Sequence, residues 1–256
     1  MRIRTMTGTV FALAAILLAS APATAQDADL NGVWVRGGGG GGGGGAVTQW
    51  TAGTLPFTPE GQARFDANIP GKGPRQTPPA LGNDPLGDSN PPGLYRTLVY
   101  NRPFEIIQLG DKVVQLFEWD KAWRVIYTDG REVPQNIPTG PFWYGYSVGQ
   151  WEGDTLTATT VGLDGRAWLD EWGTPFSDGA RMTERWRRVD ADTLELTLTV
   201  DDPELFTEPW TSGPSTYRLQ DAQPLDGEVL EMIFAPIDED LFNSRIRDPA
   251  GGVPTP

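Results

Sequence analysis

The side chains best suited to acid–base chemistry in this sequence are carboxylates. The chain contains no histidine and no cysteine, which removes the usual proton-transfer group and excludes serine and cysteine triads of the usual kind. Proton transfer would therefore fall to Asp and Glu. We predict Glu184 and Asp170 as candidate acids or bases, with Arg124 as the clamp for an anionic group of the substrate.

Glu184 is the sharpest of these candidates because it shares a strand face with apolar side chains. In residues 181–189 it alternates with Met182 and Trp186, whereas the opposite face is polar and suits solvent. A carboxylate held between large apolar groups is desolvated and can act as a general acid. Alternatively, Glu184 pairs with an inward arginine, Arg124 or Arg188, and only organises the fold.

Aromatic side chains supply a second kind of candidate site, one that accepts an apolar ring. The sequence has ten tryptophans, and its segment 162–173, GLDGRAWLDEWG, mixes them with charged groups that can orient a ligand. The predicted ligand-binding residues are Trp119, Trp143, Tyr146, Trp168, Trp172, Trp186 and Arg188. The alternative is that these aromatics fill the core or close one end of the fold.

Charge and motif patterns exclude several classes of partner. The net charge of −14 repels nucleic acid and anionic membranes. The acidic runs at 201–202 and 238–240 lack the ligand spacing of a calcium loop. The nine glycines at 37–45 lack the lysine and the strand-to-helix context of a phosphate-binding loop. We therefore predict no metal, no cofactor and no nucleic-acid partner, and the sequence does not identify a protein partner.

Short β-runs separated by turn residues must position these groups. Residues 193–200 are the clearest example, because every second side chain from Leu194 to Val200 is apolar. Gly110–Asp111 and Gly153–Asp154 are typical of tight hairpins. The nine runs are 104–110, 112–119, 123–130, 144–151, 154–163, 181–189, 193–200, 215–220 and 228–235. They predict an all-β fold: an antiparallel up-and-down barrel of lipocalin-like or calycin-like general shape, or alternatively a sandwich.

The N-terminal third predicts export and a Gly/Pro-rich arm. Residues 1–25 combine Arg2 and Arg4 with a short apolar run and an A-x-A site, which is typical of a signal peptide cleaved before Gln26. We expect a periplasmic or extracellular protein that is not inserted in the membrane after cleavage. Residues 26–93 form the predicted arm, with a short helix from Pro59 to about Asn68. Residues 94–249 form the β domain and 250–256 a C-terminal tail.

Two blocks of this sequence resemble a family of exported bacterial proteins. The first runs from TPEGQARFDANIPGKGPR to PPALGNDPLG, and the second from GYSVGQWEGDTLTATTVGLDGRAWLDEWG to ERWRRVDADTLELTLTVDDP. Together they cover well over a third of the chain, and the resemblance implies kinship and no particular reaction. Sequences of this kind more usually carry His where this chain has Phe176. The lack of that imidazole here favours a binding function, or catalysis by carboxylates.

Two functional hypotheses follow from these patterns, with a third kept open. The first is an exported protein that binds an apolar or aromatic small molecule inside a β-barrel. The alternative is a carboxylate-dependent isomerase, lyase or hydrolase that acts on a small lipid, aromatic or sugar substrate. The third is an envelope interaction module tethered by the glycine tract and the arm.

Overall fold

The structure is a computed structural model that describes residues 28–37, 50, 54–78, 81–100, 102–137, 140–220, 228–230 and 243–250. The predicted signal peptide, most of the glycine tract and residues 251–256 lie outside the described residues. The strands are β1 Gly32–Arg36, β2 Phe104–Gln108, β3 Lys112–Phe117, β4 Trp123–Tyr127, β5 Tyr146–Glu152, β6 Thr155–Val161, β7 Arg181–Asp190, β8 Thr193–Asp201, β9 Trp210–Thr211 and β10 Ser215–Leu219. The helices are α1 Pro59–Ala67, α2 Leu94–Val99 and α3 Asp248–Ala250, with a 3₁₀ turn at Pro85–Asp88 and a π-helical turn at Asn243–Arg247.

The sheet closes on itself and forms a barrel. Its strand order is β10-β1-β2-β3-β4-β5-β6-β7-β8-β9, and β10 pairs with β8 as well as with β1. Nine strands therefore complete the barrel, and the short β9 pairs with the far end of β8. The prediction of an all-β barrel is confirmed.

Most neighbouring strands are antiparallel, as expected for a chain threaded by hairpins. The predicted turns at Gly110–Asp111 and Gly153–Asp154 connect β2 to β3 and β5 to β6. Gly153 has φ = +66°, a conformation in which a side chain would be strained. One pair differs, because β4 and β5 run parallel. A parallel pair needs a long crossover, and residues 128–145 supply it.

The barrel interior is filled by large side chains. The inward residues of β8, which alternate from Leu194 to Val200, are fully buried, as their spacing predicted. The ring of Phe104 lies 5.9 Å from that of Trp186 and 5.1 Å from that of Tyr217, measured between centroids. Close packing of this kind excludes water from the inner faces of the strands.

Helix α2 completes this interior. All six of its residues are buried, although the segment LYRTLV belongs to no strand and follows the Pro-rich arm. The hydroxyl of Tyr95 donates to Glu184 on β7 at 3.0 Å, and that of Tyr217 on β10 donates to the carbonyl of Leu98 at 2.9 Å. We therefore describe α2 as the plug helix.

The N-terminal arm is partly integrated into the barrel. Strand β1, which lies within the range predicted as arm, pairs with both β2 and β10. The predicted helix is present as α1, with Thr58 accepting a hydrogen bond from the N–H of Gly61 as its N-cap. The predicted strand at 228–235 lies mostly outside the described residues, and Glu228, Val229 and Leu230 are not in a strand. In the part of the chain that the structure describes, no helix has the length and apolar character needed to cross a membrane.

Candidate functional site

Glu184 and Arg124 form an ion pair inside the barrel. Arg124 Nη1 and Nη2 donate to Glu184 Oε1 and Oε2 at 2.8 and 2.5 Å. The exposed fractions of the two side chains are 2% for Arg124 and 0% for Glu184. The pairing with Arg124 that the sequence suggested as an alternative to catalysis is thus confirmed.

Further donors surround the Glu184 carboxylate. Trp186 Nε1 donates to Oε2 at 2.7 Å and Tyr95 Oη to Oε1 at 3.0 Å, while Thr160 Oγ1 lies 3.5 Å from Oε1. Arg124 in turn donates through Nε to Gln115 Oε1 at 2.6 Å. A carboxylate has about four acceptor positions, so the carboxylate of Glu184 is fully committed to partners within the protein.

Asp170 lies in the loop between β6 and β7 and stabilises a turn. Its oxygens accept hydrogen bonds from the N–H groups of Trp172 and Thr174 and from the Thr174 hydroxyl, at 3.0, 3.2 and 2.9 Å. Its side chain is fully buried, and desolvation raises the pKa of Asp170 above its ordinary value in spite of these hydrogen bonds. Asp170 therefore fixes the turn that presents Trp172.

The structure distributes the remaining predicted ligand residues around the barrel. Trp186 belongs to the Glu184 network, and Arg188 covers the ring of Trp34 at 5.3 Å. Two of the others pack against aromatic rings, Trp119 on Tyr100 and Tyr146 on Tyr127. The other two make cation–π contacts, Trp143 with Arg166 and Trp168 with Arg96. Phe176, the position that distinguishes this chain from the sequences it resembles, is buried in the core.

Trp172 instead lines a pocket between the N-terminal arm and the loop that connects β6 to β7. The pocket has a volume of about 280 Å³. We call it the Trp172 pocket, and its lining residues are Thr54, Leu55, Phe57, Gln62, Phe65, Lys72, Pro74, Arg75, Trp172 and Thr174. Most of this wall is apolar or aromatic, which suits an apolar molecule.

The aromatic wall of the Trp172 pocket is held by α1. The ring centroid of Phe57 lies 5.2 Å from that of Phe65 and 5.1 Å from that of Phe206. The N–H of Thr58 donates to the carbonyl of Leu205 at 2.9 Å. These contacts hold α1 and Phe57, the residue before its N-cap, against the connection that follows β8.

The opposite wall is fastened to residues 68–75 of the arm. Asn68 Nδ2 donates to the carbonyl of Gly173 at 2.8 Å, and Arg75 Nη2 donates to that of Trp172 at 3.1 Å. Gly73 has φ = +84°, and a β-carbon there would lie 2.7 Å from the Trp172 ring. The arm backbone therefore approaches the indole as closely as glycine allows.

The charged groups that line the Trp172 pocket are both cations. Lys72 forms an ion pair with Glu171 at 2.9 Å, at the edge of the pocket. Arg75 lies over the ring of Phe65, 3.6 Å from its centroid. Burial lowers the pKa of Arg75, because desolvation penalises its charged form. A pocket with these charges favours an electron-rich or anionic group in its ligand.

Sequence reasoning missed several polar residues of the plug helix and its surroundings. Arg96 pairs with Asp84 through two hydrogen bonds of 2.6 and 2.5 Å, although Arg96 is buried. Arg96 Nε and Tyr100 Oη are buried with no hydrogen-bond partner among the described residues, and so is Nε1 of Trp119, which was predicted as a ligand residue. Burial raises the pKa of Tyr100. The one signal for this cluster is the presence of arginine and tyrosine within an otherwise apolar run.

A second concavity lies on the barrel surface beside Trp123. It has a volume of about 500 Å³ and is lined by Glu105, Leu116, Phe117, Lys121, Ala122, Trp123, Glu228, Val229 and Leu230. Trp123 is 63% exposed, and the wall carries two acids as well as one lysine. Its mixed charge and open position make it less suited to an apolar ligand than the Trp172 pocket.

Within the described ranges, no group of three acidic side chains converges as a metal site would require. The fold and the pocket define the class of protein as a closed β-barrel with a plug helix and an apolar pocket between the arm and the β6–β7 loop. Comparisons of the chain with protein-family models, with curated proteins and with solved structures found no match.

Proposed function

We propose that this chain is an exported protein, periplasmic or extracellular, that binds an apolar or aromatic small molecule in the Trp172 pocket. The observation that carries the proposal is an apolar pocket of about 280 Å³ formed between the arm and the loop that presents Trp172. Export is supported by the signal-like residues 1–25.

The proposed site lies beside the barrel because large side chains occupy the interior. Trp186, Phe104 and Tyr217 pack against each other there, and α2 adds Tyr95 and Leu98 to the same cluster. A ligand inside the barrel would have to displace α2 and break the Tyr95–Glu184 hydrogen bond. Binding in the Trp172 pocket requires no such rearrangement.

The geometry does not favour a carboxylate-dependent enzyme. Glu184 is fully buried and paired with Arg124, so its carboxylate is not exposed to a substrate. The oxygens of Asp170 accept hydrogen bonds from their own turn. Both carboxylates therefore have structural roles that explain their burial.

A fluorescence titration with the neutral probe N-phenyl-1-naphthylamine tests the proposed site. We expect mature protein to bind the probe and W172A to weaken binding at least about tenfold, because truncating a tryptophan that anchors a ligand has large effects. W123A is the matched control, since it removes an exposed tryptophan at the other concavity. Unchanged binding by W172A, or loss of binding by W123A alone, would refute the proposed site.

A further inference from the structure

Arg75 is held rigidly at the wall of the Trp172 pocket. Its Nη1 donates to the carbonyls of Phe65 and Asn68 at 2.7 and 3.0 Å, and its Nη2 donates to that of Trp172 at 3.1 Å. These three carbonyls belong to α1, to the residue after it and to the loop between β6 and β7. The guanidinium is therefore positioned by backbone groups, whose positions the fold determines.

Among the described residues no acid forms a direct ion pair with Arg75, and Asp66 and Asp170 attract it only from a greater distance. By contrast, Lys72 pairs with Glu171 and Arg64 with Glu60. Carbonyl groups satisfy hydrogen bonds without neutralising a charge. Desolvation of Arg75 outweighs the attraction of Asp66 and Asp170, and an anionic ligand in direct contact would offset that cost.

Two of the five N–H groups of Arg75 remain available. Three N–H groups are used by the carbonyls, and the other two, on Nε and Nη2, have no hydrogen-bond partner among the described residues. A guanidinium N–H without a protein partner can donate to a carboxylate oxygen, and two such N–H groups can bind both oxygens. Leu55, Phe57 and Trp172 line the same pocket as Arg75.

We infer that the ligand of the Trp172 pocket is an apolar monocarboxylate, whose carboxylate pairs with Arg75 and whose hydrocarbon or aromatic body packs against Trp172 and Phe57. This inference rests on the proposed function. The limited volume of the pocket favours a medium-length chain or a single ring system over a long acyl chain.

Isothermal titration of mature protein with octanoate and with octan-1-ol at pH 8 tests the inference, because the two probes differ mainly in the charged group. We expect octanoate to bind about tenfold more tightly than octanol, because one charge-assisted hydrogen-bonded pair contributes an affinity difference of about that size. R75Q should reduce that preference to about one while octanol still binds. R64Q is the matched control, because it removes an arginine charge from the exposed side of α1 and should keep the preference.

The outcomes separate the inference from the proposed function. Equal binding of acid and alcohol, both weakened by W172A, would overturn the carboxylate inference and leave the pocket as the binding site. Binding of neither compound, with N-phenyl-1-naphthylamine still bound, would also overturn it. Should R75Q lose octanol binding as well, R75M decides: it keeps a long unbranched side chain without the charge, so an undiminished preference for octanoate would contradict recognition by Arg75.

Discussion

Arg124 on β4 and Glu184 on β7 face each other across the barrel interior in a two-pronged ion pair, with N–O distances of 2.8 and 2.5 Å. Two strands, β5 and β6, separate β4 from β7 in the sheet. The pair therefore joins parts of the barrel wall that share no backbone hydrogen bonds. Tyr95 from the plug helix and Trp186 from β7 complete its coordination.

Removing the Glu184 charge should strongly destabilise the fold. E184Q leaves the buried Arg124 guanidinium without a counter-charge, and we expect the free energy of unfolding to fall by about 3–5 kcal/mol in urea titrations. E152Q is the control, because it breaks the exposed Arg185–Glu152 pair and should change stability by less than about 1 kcal/mol. Equal stability of E184Q and E152Q would show that the pair does not organise the barrel.

The plug helix should be held by Tyr95 more strongly than by Tyr217. Y95F removes a donor to a charged carboxylate, which contributes about 1.5–3 kcal/mol, whereas Y217F removes a donor to the neutral carbonyl of Leu98, which contributes about 0.5–1.5 kcal/mol. Both substitutions keep a buried ring, so their comparison isolates the hydroxyl. Urea titrations that found Y217F to be the more damaging variant would contradict this account of α2.

Much of the barrel could be predicted from the sequence because its strands show local patterns. Residues from Leu194 to Val200 alternate cleanly, and the same alternation placed Glu184 on the inner face. The turns at Gly110 and Gly153 are set by neighbouring residues alone. These features depend on short-range chemistry that a single sequence displays.

The plug helix and the pocket depend on long-range contacts. The segment of α2 is six residues long and carries no side-chain cap, so the surrounding barrel, and not local preference, determines its helical state. Arg75 lies in a stretch rich in Pro and Gly that resembles solvated loop, and its partner Trp172 is 97 residues away. Trp172 was predicted as a ligand residue, but the arm that faces it was not.

The stability contributed by Asp170 should depend on pH. Burial raises the pKa of Asp170 in the folded state above its ordinary value of 3.8. Ionisation of Asp170 therefore costs the folded state stability. This loss of stability is absent below pH 3.8 and grows as the pH rises above it. D170N removes the charge with little change in shape. We expect the melting temperature of D170N relative to wild type to be higher at pH 7 than at pH 4.

Thermal unfolding of both proteins at several pH values between 4 and 8 measures this difference. D178N is a suitable control because it alters an aspartate of the same loop that accepts a hydrogen bond from Gly165 N and lies on the exposed side. If the melting temperature of D170N relative to wild type decreased with rising pH, the folded state would stabilise the ionised carboxylate, contrary to this prediction.

A side chain at Gly73 should disturb the pocket and leave the barrel intact. G73A places a β-carbon 2.7 Å from the Trp172 ring at a positive φ, so the indole or the arm must shift. We expect binding of N-phenyl-1-naphthylamine to weaken severalfold. G213A is the control, since apart from its chain neighbours no atom of the described residues lies within 4 Å of its added β-carbon, and it should bind as wild type does. Wild-type affinity in G73A would argue against a tightly formed wall at Trp172.

The most direct test of a flanking site beside a filled barrel is fluorine NMR of mature protein labelled with 5-fluorotryptophan. The ten tryptophans give separate probes, and single substitutions such as W172F and W186F assign them. On titration with N-phenyl-1-naphthylamine we predict that the Trp172 resonance shifts while those of the interior Trp34 and Trp186 stay in place. Shifts of Trp34 and Trp186 with an unmoved Trp172 would place the ligand inside the barrel and contradict the account.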